Sequence, residues 1–308
     1  MVVPLQLSPI QDGIPAWNAW RRQNPDSLPD LSGANFARQE LREIDLSLSF
    51  LRNADLSQVD FCLANLEEAN LDGAEMSECA MYTANLRYAS LKESNLTQAD
   101  LVEASMVGAD LSLAVLQRAR LDRADLTDAC LYTTNLRQAS LSNVILIRAD
   151  MREVDLTMAD LREADLREAN MSFAVCSLSK FVGATFCKAN LYRANLSLAN
   201  LCVANLMGAN LYKASLIGAN MISANLYMSD MRFANMAQVD LREACLRIAN
   251  LTGANLTGAN LGMANLTEAT LYRANLAGAN LYQANIHQAN LDGANLTGAT
   301  MPDGRKHP

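Results

Sequence analysis

Aromatic residues make up only 6% of these 308 residues and charged residues 19%, below the quarter usual for a globular domain. Half of the chain is apolar, but that half is mainly Ala and Leu, which does not suit a core of mixed large side chains. No run of eighteen apolar residues occurs, so no membrane-spanning helix is expected. The stretch Met1–Gln11 has no basic segment and is interrupted by Pro4, Gln6 and Pro9, which argues against a cleaved signal sequence. The expectation is a soluble, cytoplasmic protein.

Catalytic signatures are missing as well. There are two histidines, His287 and His307, and no HExxH, GxSxG, P-loop or GxGxxG pattern. Neighbouring charges such as Arg162-Glu163 and Arg167-Glu168 read as solvated surface, and an array without inserted loops offers no cleft. No enzyme, cofactor or metal is expected. The seven cysteines are odd in number, and none forms a CxxC, so neither a disulfide framework nor a zinc site is signalled. Triplets such as Asn195-Leu196-Ser197 match a glycosylation sequon only because a repeat generates them.

What is present is a period of five. Every position ending in 1 or 6 from Leu31 to Met301 is Leu, Met, Phe, Ile or Cys, and forty of these fifty-five are Leu. Two residues earlier, forty-two of fifty-four positions are Ala, and mostly Asn or Asp stands between the two columns. The unit A(N/D)LXX fits neither common element. On an α-helix a step of five turns the Leu column about 140° per unit, and on a strand successive Leu residues alternate faces. A backbone that bends once per unit, with Leu and Ala pointing inward, satisfies the pattern. Stacking at the strand spacing of about 4.8 Å then pairs the backbone groups between coils. Periodicity alone leaves the number of sides per coil open.

The unbroken array, as in Ala194-Asn195-Leu196 and Ala254-Asn255-Leu256, resembles the pentapeptide-repeat family. That resemblance implies an all-β fold, a right-handed quadrilateral β-helix with about twenty residues per coil. It further implies about thirteen coils and a rod roughly 65 Å long at the strand spacing. The domain reading is residues 1–30 as an N-terminal segment with a capping helix, 31–301 as the β-helix and 302–308 as a tail. Within the first segment Ile14, Trp17 and Trp20 recur at threes behind Pro15, a short helix. It serves either as a lid on the first coil, the favoured reading, or as a Trp-anchored docking motif. At the far end Met301-Pro302-Asp303-Gly304 is a turn, and the ending MPDG is similar to that of cyanobacterial family members, including the type linked to heterocyst differentiation.

With twenty residues per coil, outward columns read as ladders. No two cysteines are twenty apart, which leaves the thiols free. Glu67 is expected beside Arg87, Glu103 beside Arg123, and Arg148 between Asp128 and Glu168. Val182, Cys202 and Ile222 form one apolar ladder and Cys187, Met207 and Tyr227 the next, with Ile217, Met228 and Phe233 nearby. This patch is either a protein interface or drift on a tolerant surface. Residues 31–170 carry twenty-four acids against thirteen bases, and residues 171–308 six against ten; the acidic part disfavours nucleic acid. The function expected is a non-catalytic protein-interaction scaffold, monomer or weak dimer, with an unidentified protein partner and neither nucleic acid nor membrane. The alternative is a DNA mimic that binds DNA gyrase, as the resemblance to quinolone-resistance relatives implies, although their dimerising C-terminal element and interrupting loops are absent.

Overall fold

A computed structural model describes Ile10 and residues 12–308. The sequence reading of Met1–Gln11 therefore falls almost wholly outside the described residues. The chain divides into two compact units, residues 1–149 and 150–308.

The repeat unit follows from an accounting of five backbone N–H groups, shown by Asn205-Leu206-Met207-Gly208-Ala209. Asn205 N–H donates to Ala184 O at 2.9 Å in the preceding coil, while Leu206 and Gly208 N–H donate to Asn225 O at 2.7 Å and Tyr227 O at 2.9 Å in the next. Ala209 N–H closes the turn on Leu206 O at 3.0 Å. The fifth, Met207 N–H, has no backbone acceptor and is taken by Asn205 Oδ1 at 3.2 Å. The Asn/Asp column thus has a cause: its side chain caps the turn two residues on, leaving no donor of the unit unmet.

The third residue after each Asn or Asp of the column stands in the left-handed region, as at Arg193 (φ 54°), Val203 (φ 53°) and Gly208 (φ 65°). With the 4→1 hydrogen bond, that φ marks a type II turn. In unit 1, parallel bridges join residues twenty apart from Asp30↔Phe50 to Asp125↔Ile145; in unit 2 they run from Asp150↔Asn170 to Asn280↔Thr300. Four bridges fall within each twenty residues, so the coils are four-sided. Each side pairs through one residue and bends again, and no extended strand forms among the described residues.

The Leu and Ala columns face inward. Leu126, Leu206, Ala124 and Ala204 are all fully buried, and small and large side chains alternate through a narrow core. Where Ser or Thr replaces Ala, the hydroxyl bonds to a main-chain carbonyl, as Ser94 Oγ to Leu91 O at 2.6 Å and Thr134 Oγ1 to Leu111 O at 2.8 Å. These buried polar groups are satisfied.

Helix α1, Ile14–Gln23, begins after Gly13, with Pro in its first turn, and it covers the first coils of unit 1. Trp17 has no exposed surface, and its Nε1 donates to Asp45 O at 2.6 Å. Asn18 Nδ2 donates to Glu43 O, and Asn18 Oδ1 accepts from Asp45 N–H, both at 2.9 Å. Arg21, which the three-residue stripe did not predict, is buried and donates to Ser27 O and Ser47 O at 2.8 and 2.7 Å. Ile14 and Trp20 are only half-buried. In unit 2, Gly304 (φ 85°) lets the chain reverse, and Thr300 pairs antiparallel with Lys306, closing the tail onto the last repeat.

Candidate interaction surface

Each turn presents two outward side chains, here called the shoulder (position ending in 2 or 7) and the tip (ending in 3 or 8). Shoulders lie against neighbouring coils and are frequently half-buried, while tips, in the left-handed conformation, stand clear. This difference redistributes the predicted patch.

Bridges Lys180↔Asn200↔Asn220 align Val182, Cys202 and Ile222, and Thr185↔Asn205↔Asn225 align Cys187, Met207 and Tyr227, so both expected ladders form within unit 2. Five of these shoulders, Val182, Cys187, Cys202, Ile222 and Tyr227, are half-buried, and only Met207 is exposed. Burial pushes the Cys187 thiol up from its ordinary pKa, outweighing the lowering by the Arg167 charge beside it, so it is a weak nucleophile. Met228 is an exposed tip on the second ladder. Ile217 is a shoulder on the stack of turns that carries the tips Leu178 and Leu198, which bridges Val175↔Asn195↔Ser215 align. Phe233 stands apart, on a ladder of aromatic residues.

Two of the most exposed apolar side chains of this region are tips that the shoulder ladders missed, Leu198 at 60% and Val203 at 53% exposed, with Leu178 also open. Leu198 leans over Gly218, where a Cβ would come within 2.9 Å of its Cδ2. The signal was available in the sequence, since Met158, Leu178 and Leu198 recur at twenties. Val203 is also β-branched at φ 53°, a conformation such residues disfavour.

No Asp or Glu occurs between Glu168 and Asp230. Before that stretch acids are plentiful, and several are paired. Arg123 meets Glu103 at 3.1 Å and Arg148 meets Asp128 at 2.6 Å, as the ladders predict. Glu67 instead accepts from Asn85 Nδ2 at 3.1 Å, while Arg87 lies over the Tyr88 ring at 5.4 Å. Arg162 and Arg167 pair with Asp160 and Asp165, two residues earlier, at 2.8 and 2.7 Å. The Asp that caps a turn thus also anchors the shoulder Arg. Hydrogen bonding to the Arg152 side chain, opposed by burial, holds the Asp150 carboxyl below the usual range.

Concavities are slight. One notch of about 190 Å³ opens where Gly73 interrupts a ladder between Arg52 and Lys92, and another of about 220 Å³ where Gly262 stands between Arg242 and Tyr282. No group of three metal-ligating side chains occurs among the described residues. All seven cysteines are unpaired, with Cys62, Cys79 and Cys176 buried. No described helix is long and apolar enough to cross a membrane.

The profile for pentapeptide repeats (8 copies) matches the chain in overlapping stretches from residue 30 to residue 302. The chain belongs to the pentapeptide repeat family. Such proteins form right-handed quadrilateral β-helices, the hand expected from the resemblance. Among solved pentapeptide repeat proteins, HetL from the cyanobacterium Nostoc sp. strain PCC 7120, involved in heterocyst differentiation regulation, is 30% identical over 94% of this chain and 98% of its own, with a TM-score of 0.23. Rfr23 from the cyanobacterium Cyanothece 51142 is 38% identical over 30% of this chain and 58% of its own, TM-score 0.26. QnrB1, a plasmid-mediated fluoroquinolone resistance protein, is 22% identical over 61% of this chain and 82% of its own, TM-score 0.41. No curated protein sequence matches the chain.

Proposed function

We propose that the chain is a non-catalytic protein-interaction scaffold of about thirteen coils that engages a protein partner through the apolar tips and shoulders of unit 2. The surface comprises Leu178, Leu198, Val203, Met207, Ile217 and Met228, with Val182, Cys187, Cys202, Ile222 and Tyr227 forming its half-buried floor. The observation that carries the reading is Val203. It is apolar, more than half exposed and β-branched at a left-handed corner, where Gly or a polar residue would be less strained. Strain retained at an exposed apolar position supports recognition over drift. Seven unpaired cysteines support a reducing, cytoplasmic setting, and the ending MPDG supports a cyanobacterial regulatory role.

The test is affinity capture from the native host, comparing wild type with Leu198→Asp/Val203→Asp. The variant is expected to fold with an unchanged melting curve and to lose a partner that the wild type recovers. Recovery of the same partners by both proteins refutes the proposal.

The second reading, DNA mimicry directed at gyrase, draws on the acidic character of unit 1. Against it, many of those carboxylates are already engaged, with Asp100, Glu103, Asp110 and Asp128 each paired to a base. Inhibition of supercoiling by purified protein would establish that reading.

A further inference from the structure

A second surface of unit 2 has different chemistry. Bridges Asn170↔Asn190↔Asn210↔Asp230 align four successive turns, which carry Phe173, Tyr192-Arg193, Tyr212-Lys213 and Arg232-Phe233. The rings form a continuous column. Tyr192 and Tyr212 are stacked, with centroids 5.9 Å apart and planes 5° from parallel. Phe173 closes one end, edge-on to Tyr192 at 5.3 Å, and Phe233 the other, edge-on to Tyr212 at 5.8 Å. Gly253 gives Phe233 room to lie flat, since a Cβ there would come within 2.7 Å of its Cε1.

Cations flank the column. Arg193 lies 5.5 Å from the Tyr192 centroid, Lys213 5.2 Å and Arg232 5.3 Å from that of Tyr212. Arg232 is neutralised by Asp230 at 2.7 Å. Among the described residues, Arg193 and Lys213 meet no carboxylate, and the Tyr192 and Tyr212 hydroxyls have no hydrogen-bond partner. The column rises through the acid-free stretch 169–229, three coils with Lys188, Arg193 and Lys213 and no acid of their own, while Lys180 reaches back to Asp160 at 3.8 Å. In a chain of net charge −8 this local excess of positive charge is unusual.

We propose that this aromatic column binds an acidic, extended segment of a protein partner. Arg193 and Lys213 pair with its carboxylates, the phenol hydroxyls donate to carboxylate or main-chain oxygens, and the ring edges pack against its apolar side chains. Charge complementarity selects an anionic partner, and the ring geometry selects a peptide over a nucleic acid. Single-stranded nucleic acid needs open aromatic faces on which bases stack, whereas here the Tyr faces are occupied by one another, by the end rings and by the cations. The site is on a different face from Leu198 and Val203, so either surface can fail its test without deciding the other.

The probe is a fluorescein-labelled twelve-residue peptide of alternating Glu and Leu, read by anisotropy. The controls are the same peptide with Lys for Glu and a twelve-nucleotide oligothymidylate. The Glu peptide is expected to bind, more weakly as salt is raised, and Arg193→Ala/Lys213→Ala to weaken it about tenfold, the sum of two exposed charge pairs. Tyr212→Ala, which removes the centre of the column, is expected to weaken it while the unfolding midpoint of each variant stays within error of wild type. Equal binding by wild type and the Arg193/Lys213 variant overturns the proposal, as does tighter binding of the oligonucleotide or no binding of the Glu peptide at millimolar concentration.

Discussion

Replacing Asn205 separates the hydrogen bonds of the repeat from its packing. Asn205 Oδ1 accepts from Met207 N–H at 3.2 Å and from Asn225 Nδ2 in the next coil at 3.1 Å, and the side chain is half-buried. Asn205→Ala removes both bonds. At about 0.5–1.5 kcal/mol each the loss is about 1–3 kcal/mol, and partial access of water to the freed donors favours the lower half of that range. Asn205→Asp keeps the acceptor for both donors. Asp45 already does this elsewhere, accepting from Ser47 N–H and Asn65 Nδ2, both at 3.1 Å. Urea unfolding followed by circular dichroism should therefore rank wild type and Asn205→Asp together and Asn205→Ala below them. If Ala matches wild type, or Asp is as damaging as Ala, the capped fifth N–H is not what the Asn/Asp column is for.

Leu126→Arg places an unpaired charge in a fully buried site and should abolish soluble expression or collapse the melting transition. Trp17→Ala removes a fully buried ring and its bond to Asp45 O; a loss of about 3–5 kcal/mol is expected, read as early hydrogen exchange across the first coils of unit 1. On acidification, Asp30, Asp55 and Asp128 have carboxyls held below the ordinary value of 3.8 by hydrogen bonds to Ser32, Ser57 and Arg148. A depressed folded pKa contributes stability that is complete above the unfolded value and is lost as pH falls through the folded one. The urea midpoint should be flat between about pH 8 and 5 and decline below about pH 4.

How far the sequence reveals the molecule depends on which residues repeat. The Leu and Ala columns are legible because burial demands the same side chain every fifth residue, and Trp17 because its helix is amphipathic. The role of Asn and Asp is not legible, because it is a bond to a backbone N–H that only the turn geometry exposes. Arg21 is missed because it is charged, and its burial depends on carbonyls 6 and 26 residues away. The candidate surface is half legible. Spacing by twenty finds Val182, Cys202 and Ile222, but whether a column is shoulder or tip depends on the sign of φ, so Leu198 and Val203 escape.

The left-handed corner has an evolutionary consequence. Its side chain takes no part in the interior or in the backbone pairing between coils, and residues as different as Phe173, Val203, Gly208 and Lys213 occupy it. Beyond the demand of the left-handed φ, selection on foldability is weak at every fifth residue, and a lineage can exchange one binding preference for another by single substitutions there.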